Sequence, residues 1–117
     1  MGKLTTHVLD TAHGRAAANM KIEFSVLDGA VWKPLITIHT NADGRTDEPL
    51  LANDAMRAGQ YQLMFHVAGY FRRAGVKLPD PPFIDQVPLQ FGIADANAHY
   101  HVPLLCSPWA YSTYRGS

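Results

Sequence analysis

Hydrophobic residues in this chain recur at every second position in short runs, a spacing that suits half-buried strands. Ile22, Phe24 and Val26 alternate with Lys21, Glu23 and Ser25, and Leu63, Phe65 and Val67 alternate with Gln62, Met64 and His66. Val87, Leu89, Phe91 and Ile93 alternate with Gln86, Pro88, Gln90 and Gly92. Turn residues separate the runs: Asp28-Gly29, Asp43-Gly44, Ala58-Gly59, Pro79 to Pro82 and Ser107-Pro108. The pattern predicts strands near residues 4–9, 20–28, 32–40, 60–67, 85–93, 98–106 and 110–115. Pro88 has no N–H to give a ladder, so its run belongs at a sheet edge or a bulge. One short helix is expected near 69–75, ending on Gly75, and a further helical turn within 51–58. Seven short strands at this spacing imply an all-β sandwich.

The chain has 117 residues and no internal repeat, low-complexity tract or linker, so a single domain over 1–117 is expected. Hydrophobic residues at 47% and charged residues at 17% describe a globular chain rather than a disordered one. Formal net charge is zero, which leaves no basic field to attract nucleic acid or an anionic membrane. Cys106 is the single cysteine, so no intrachain disulfide staples the fold. Its place in the apolar run from Val102 suits a small buried hydrophobe. The first residues carry no apolar leader, no stretch approaches the ~18 apolar residues of a membrane span, and the last residues are not a peroxisomal Ser-Lys-Leu. The expected location is the cytoplasm.

The last two strands point beyond a monomer, the alternative being an ordinary solvent face with scattered apolar residues. Tyr100, Val102, Leu104 and Cys106 form one face of the penultimate strand, and His99, His101, Pro103, Leu105 and Ser107 the other. A strand with one solvated face should be polar on that face. Here the second face is largely uncharged as well, and the chain is too short for a third layer. Burial by another copy in a closed symmetric oligomer resolves this, with the His99/His101 face in the interface.

That face also carries the candidate chemistry. His99 and His101 project the same way because strand side chains repeat every two residues. Imidazole titrates near neutral pH, so the pair suits acid–base work. A His-x-His pair can also supply two zinc ligands, but no Cys, Asp or Glu is spaced to give a third and His7 could serve only if the fold brings it close, so the expected metal content is none. Arg45 follows the Asp43-Gly44 turn; it has the planar fork that grips oxyanions and carbonyl pairs, though by spacing alone a solvated loop charge is the commoner role for such a residue. His13, His39 and His66 fit hydrogen-bonded or surface roles, and Arg72-Arg73 fits a solvated helix face. No Gly-x-Ser-x-Gly elbow, phosphate-binding loop, dinucleotide fingerprint or His-Glu-x-x-His occurs, so the common nucleophilic and nucleotide chemistries lack support.

Three segments resemble the 5-hydroxyisourate hydrolase family: residues 4–14, with Thr6-His7-Val8-Leu9-Asp10; the turn Thr40-Asn41-Ala42-Asp43-Gly44-Arg45; and the end, with His99-Tyr100-His101-Val102-Pro103-Leu104-Leu105 and the terminal Tyr114-Arg115-Gly116-Ser117. Pro82-Phe83-Ile84-Asp85 and Phe91-Gly92-Ile93 look similar too, so the resemblance covers nearly the whole chain. Trp109-Ala110 and Ala68-Gly69 depart from the family pattern, at no candidate catalytic position. The resemblance implies a transthyretin-like β-sandwich of two four-stranded sheets with one short helix, assembled as a homotetramer whose dimer–dimer channel holds the site. It implies hydrolysis of 5-hydroxyisourate in urate breakdown without a cofactor. Carried over residue by residue, the catalytic positions are His7, Arg45, His101 and Ser117, and substrate is bound by His7, Arg45, His99, Tyr114, Arg115 and Gly116. A carrier of apolar ligands on the same fold is the rival from another class, and a zinc hydrolase a third.

Overall fold

In a computed structural model, which describes residues 1–116, the alternating runs become strands. They are β1 (Lys3–Asp10), β2 (Arg15–Ala16), β3 (Lys21–Asp28), β4 (Val31–His39), β5 (Leu51–Ala52), β6 (Gly59–His66), β7 (Gln86–Ile93), β8 (His99–Cys106) and β9 (Tyr111–Thr113). All seven predicted strands are present with boundaries close to those expected. The expected helical turn within 51–58 is a 3-10 turn at Asn53–Ala55. The short helix, α1, runs Val67–Arg73 and starts two residues earlier than the glycine spacing suggested. Val67 and Ala68 are buried along with Tyr70 and Phe71, so the helix begins where its apolar stripe meets the core. Gly75, at φ +88°, stops it: the Gly75 and Val76 N–H groups donate to the Arg72 and Phe71 carbonyls, which only a left-handed residue allows at this point.

One sheet is four-stranded, in the order β4-β3-β6-β7. The other runs β2-β1-β8-β9, and β1 pairs in addition with the two-residue β5. Pro88 lies in β7, an edge strand, as its missing N–H requires, and Pro34 lies in β4, the opposite edge, beside a register shift between Phe24 and Ser25. The inner faces of the two sheets supply the core. Leu4, Val8, Ile22, Phe24, Leu63, Phe65, Val87, Val102 and Leu104 are all buried there. Each such side chain contributes roughly 1.5–3 kcal/mol by leaving water. Cys106 is fully buried and its thiol is pushed up to about 12 by that burial, so it acts as a core hydrophobe.

Alternation along β1 and β8 decides which residues face away from the core. Thr5, His7 and Leu9 on β1 are half-buried while Leu4, Thr6, Val8 and Asp10 between them are buried. β1 and β8 run parallel, with Thr5 opposite His101 and His7 opposite Pro103. The outward face therefore collects Thr5, His7, Leu9, His99, His101, Pro103 and Leu105 on two adjacent strands. No helix among the described residues is long and apolar enough to cross a membrane.

Candidate active site

His7 and His101 sit diagonally across the β1–β8 pair, with ring centroids 6.4 Å apart. Arg45 joins them through the backbone. The free edge of β1 is occupied in sequence by β5 at Lys3 and Leu4, by Arg45 opposite His7, and by β2 at Leu9 and Asp10. Being opposite His7 in an antiparallel bridge, Arg45 shares its outward direction.

The turn that delivers Arg45 is closed by Asn41. Its side-chain oxygen accepts from the Asp43 N–H at 2.9 Å and the Arg45 N–H at 3.2 Å, and its backbone N–H donates to the Arg45 carbonyl at 2.7 Å. Gly44 lets this turn lie flat on β1. Its φ is +74°, its carbonyl accepts from the Val8 N–H at 2.8 Å, and a Cβ there would meet the Val8 carbonyl oxygen at 2.4 Å. No carboxylate among the described residues is within salt-bridge reach of Arg45.

The Arg45 charge shapes the histidines. Partial burial and then the Arg45 guanidinium hold His7 below the ordinary imidazole range, against a smaller opposing pull from the Asp43 carbonyl and carboxylate. Burial, Arg45 and His7 lower His101 in the same direction. Both rings are therefore neutral at pH 7. Two neutral imidazoles beside a guanidinium can take a proton from water and stabilise charge on an oxygen.

The other expected site residues are distributed around this cluster. Gly116 reaches it: its N–H donates to the His101 carbonyl at 2.7 Å, and its α-carbon packs on the His101 ring. His99 is exposed at the end of β8, opposite Lys3, and shares a cavity of about 510 Å³ with Ala98, Arg115 and Gly116. Arg115 turns toward the other side of the sheet, where its guanidinium lies 4.2 Å from the Tyr100 ring centroid and donates to the His99 carbonyl. Tyr114 is exposed and lines, with Arg115, a cleft of about 240 Å³ between the sheets. Ser117 lies outside the described residues. A further cavity of about 460 Å³, bounded by Arg15, Tyr70 and Arg73, contains none of these residues.

Two histidines have structural partners, as expected of them. His13 Nδ1 is 2.6 Å from Asp10, and His66 pairs with Glu23. No three His, Cys, Asp or Glu side chains converge among the described residues in a way that could hold a metal ion. Sequence reasoning missed two contributors. Thr5 contacts His101 at 2.8 Å across 96 residues of chain. Buried Asp10 accepts from the Tyr70 hydroxyl at 2.7 Å and from the His13 ring, anchoring α1 and the β1–β2 turn to the end of β1. Period two along β1 would have put Thr5 beside His7, but nothing in one strand announces its partner on another.

Comparison with known proteins agrees with this architecture. The family model described as the HIUase/Transthyretin family matches residues 4–116. The 5-hydroxyisourate hydrolase 2 of Rhizobium meliloti (strain 1021) is 60% identical over 116 residues, covering 99% of this chain and 97% of its own. Among solved structures, an (S)-allantoin synthase is similar at a TM-score of 0.93 and 43% identity over 99% of this chain, which spans 44% of that protein's length. Sea bream transthyretin in complex with thyroxine is similar at a TM-score of 0.86 and 25% identity, over 97% of this chain and 94% of its own. With the family model matching nearly end to end and a relative this similar over its full length, the chain belongs to the HIUase/Transthyretin family.

Proposed function

We propose that this chain is a 5-hydroxyisourate hydrolase, opening the substrate's lactam with water to give 2-oxo-4-hydroxy-4-carboxy-5-ureidoimidazoline in urate breakdown. The observation that carries the reading is the meeting of His7, His101 and Arg45 on one sheet face, in a chain 60% identical to a protein of that name. An apolar carrier gains nothing from such a group, since carrier pockets are mostly apolar.

The residues divide the work as follows. His7 and His101 hold the attacking water, and one of them takes its proton as the new carbon–oxygen bond forms. Arg45 binds ring oxygens and stabilises the tetrahedral oxyanion, a contribution often worth about 3 kcal/mol per donor. When the carbon–nitrogen bond breaks, the proton returns to the leaving nitrogen. Gly116 supports His101, and Ser117 is the fourth catalytic position that the family resemblance assigns; Tyr114 and Arg115 face the cleft between the sheets in the single chain, away from this group. Holding water and ring together adds an orientation gain.

The functional unit in this proposal is a homotetramer of the single 1–117 domain, working in the cytoplasm without a cofactor. The partly exposed apolar residues Leu9 and Leu105 beside the histidines support burial of this face by another copy. To test the activity, 5-hydroxyisourate is generated in situ from urate with urate oxidase, and its ultraviolet decay is followed with and without the protein in EDTA. Accelerated decay is expected. No acceleration from the folded protein overturns the hydrolase and favours a binding protein, while acceleration abolished by EDTA favours a zinc enzyme.

A further inference from the structure

His101 has a partner that none of the roles above uses. Thr5 stands directly opposite it in the parallel β1–β8 register and brings Oγ1 to 2.8 Å from His101 Nδ1. On another side of the ring Gly116 packs so closely that a Cβ there would lie 2.8 Å from His101 Cδ2. The imidazole is thus held at its Nδ1 edge by a hydroxyl and at its Cδ2 edge by backbone. Nε2 is the ring nitrogen with no hydrogen-bond partner among the described residues.

The nitrogen that carries the proton in a neutral imidazole is set by the hydrogen bond made at the other. A base must present an unprotonated nitrogen to its water, and with Nδ1 capped that nitrogen is Nε2. The proton then belongs on Nδ1, and the Thr5 oxygen is its acceptor. We propose that Thr5 is a positioning residue for the hydrolysis: by accepting the His101 Nδ1–H it fixes ring angle and tautomer, and leaves the Nε2 lone pair free for the attacking water. This rests on the hydrolase reading of His101 as a base. The arrangement follows the general logic in which a nucleophile's or water's base is oriented by a third group.

Thr5→Val keeps the shape and suits a strand, so the fold tolerates it. Thr5→Ser returns the hydroxyl. Two readouts are taken: the tautomer of His101, from long-range proton–nitrogen spectra of ¹⁵N-histidine-labelled protein without substrate, and steady-state kinetics. The expected result is a wild-type His101 protonated on Nδ1 and a Thr5→Val protein that shifts toward Nε2–H. Its kcat should fall ~10- to 100-fold with KM changed less than about twofold, and Thr5→Ser should restore both readouts. A wild-type ring protonated on Nε2 overturns the proposal. So does a Thr5→Val protein that keeps the wild-type tautomer, or one whose kcat stays within about twofold. The spectra need no turnover, so a wild-type protein that fails to accelerate 5-hydroxyisourate decay refutes the hydrolase reading separately, while the tautomer still shows whether Thr5 holds the ring.

Discussion

At the scale of single residues, the proposed chemistry turns on two imidazoles whose pKa values are lowered by burial and by Arg45. Substituting His101 with Asn should lower kcat by about 10²–10⁴. The ring is half-buried on an outward face, so stability should change by less than about 1 kcal/mol. Matching losses in denaturant midpoint and turnover would remove its chemical role. The pH dependence follows from the same shifts. A base acts in its neutral form, and a lowered pKa keeps that form populated further into acid. The acid limb of kcat/KM should therefore fall below the ordinary imidazole value of 6.5. In Arg45→Gln, where a major cause of the lowering is gone, the limb should move back up toward 6.5, and an unmoved limb would show that Arg45 does not set it. His99 and His101 were legible as a same-face pair from spacing alone. The nearness of His7 was not, because β1 and β8 meet across most of the chain's length.

Elements matter here as holders of backbone. The 41–45 turn fixes Arg45 only because Gly44 lies against Val8, where a side chain would meet the Val8 oxygen at 2.4 Å in a left-handed conformation. Gly44→Ala should cost about 2–3 kcal/mol in urea unfolding and lower activity beyond that loss, since the Arg45–His7 bridge must shift. Full activity in the folded variant would show that the bridge is not needed. Asp10 ties three elements. Burial raises its carboxyl, but the Tyr70 hydroxyl and the His13 ring and N–H outweigh this and hold it below the usual 3.8. A carboxylate lowered in the folded state adds stability that is present above that value and lost as pH falls through the folded one. Asp10→Asn should destabilise by about 2–4 kcal/mol, from charged hydrogen bonds weakened or lost. It should also flatten the acid side of the stability profile, a change that pH-dependent thermal melts would register. The long strands were readable in advance because eight or nine alternating residues make a periodic signal. β2 and β5, with two residues each, make none, and they exist because β1 has a free edge to pair.

For the whole molecule, the proposed function gives the outward face of β1 and β8 both the chemistry and the assembly. Leu105 lies on that face, on the same strand as His99 and His101 and opposite Ser112 of β9. Leu105→Asp should break the proposed tetramer into smaller species by light scattering and lower activity at least about tenfold, while circular dichroism retains the sheet signal. A tetramer that survives, or a fully active smaller species, would detach assembly from catalysis. The sequence by itself determined the sandwich, its strands, the edge place of Pro88 and the two-faced character of the penultimate strand, because those follow from period two and from residues that cannot donate or must turn. It also carried the family motifs that pointed to His7, Arg45 and His101. Only the tertiary structure decided that Arg45 pairs with β1 beside His7, that Thr5 caps His101, and that Arg115 turns away to Tyr100. Those are choices of register and of neighbouring strand, made by residues up to 96 positions apart, and local periodicity contains no information about which strand lies alongside.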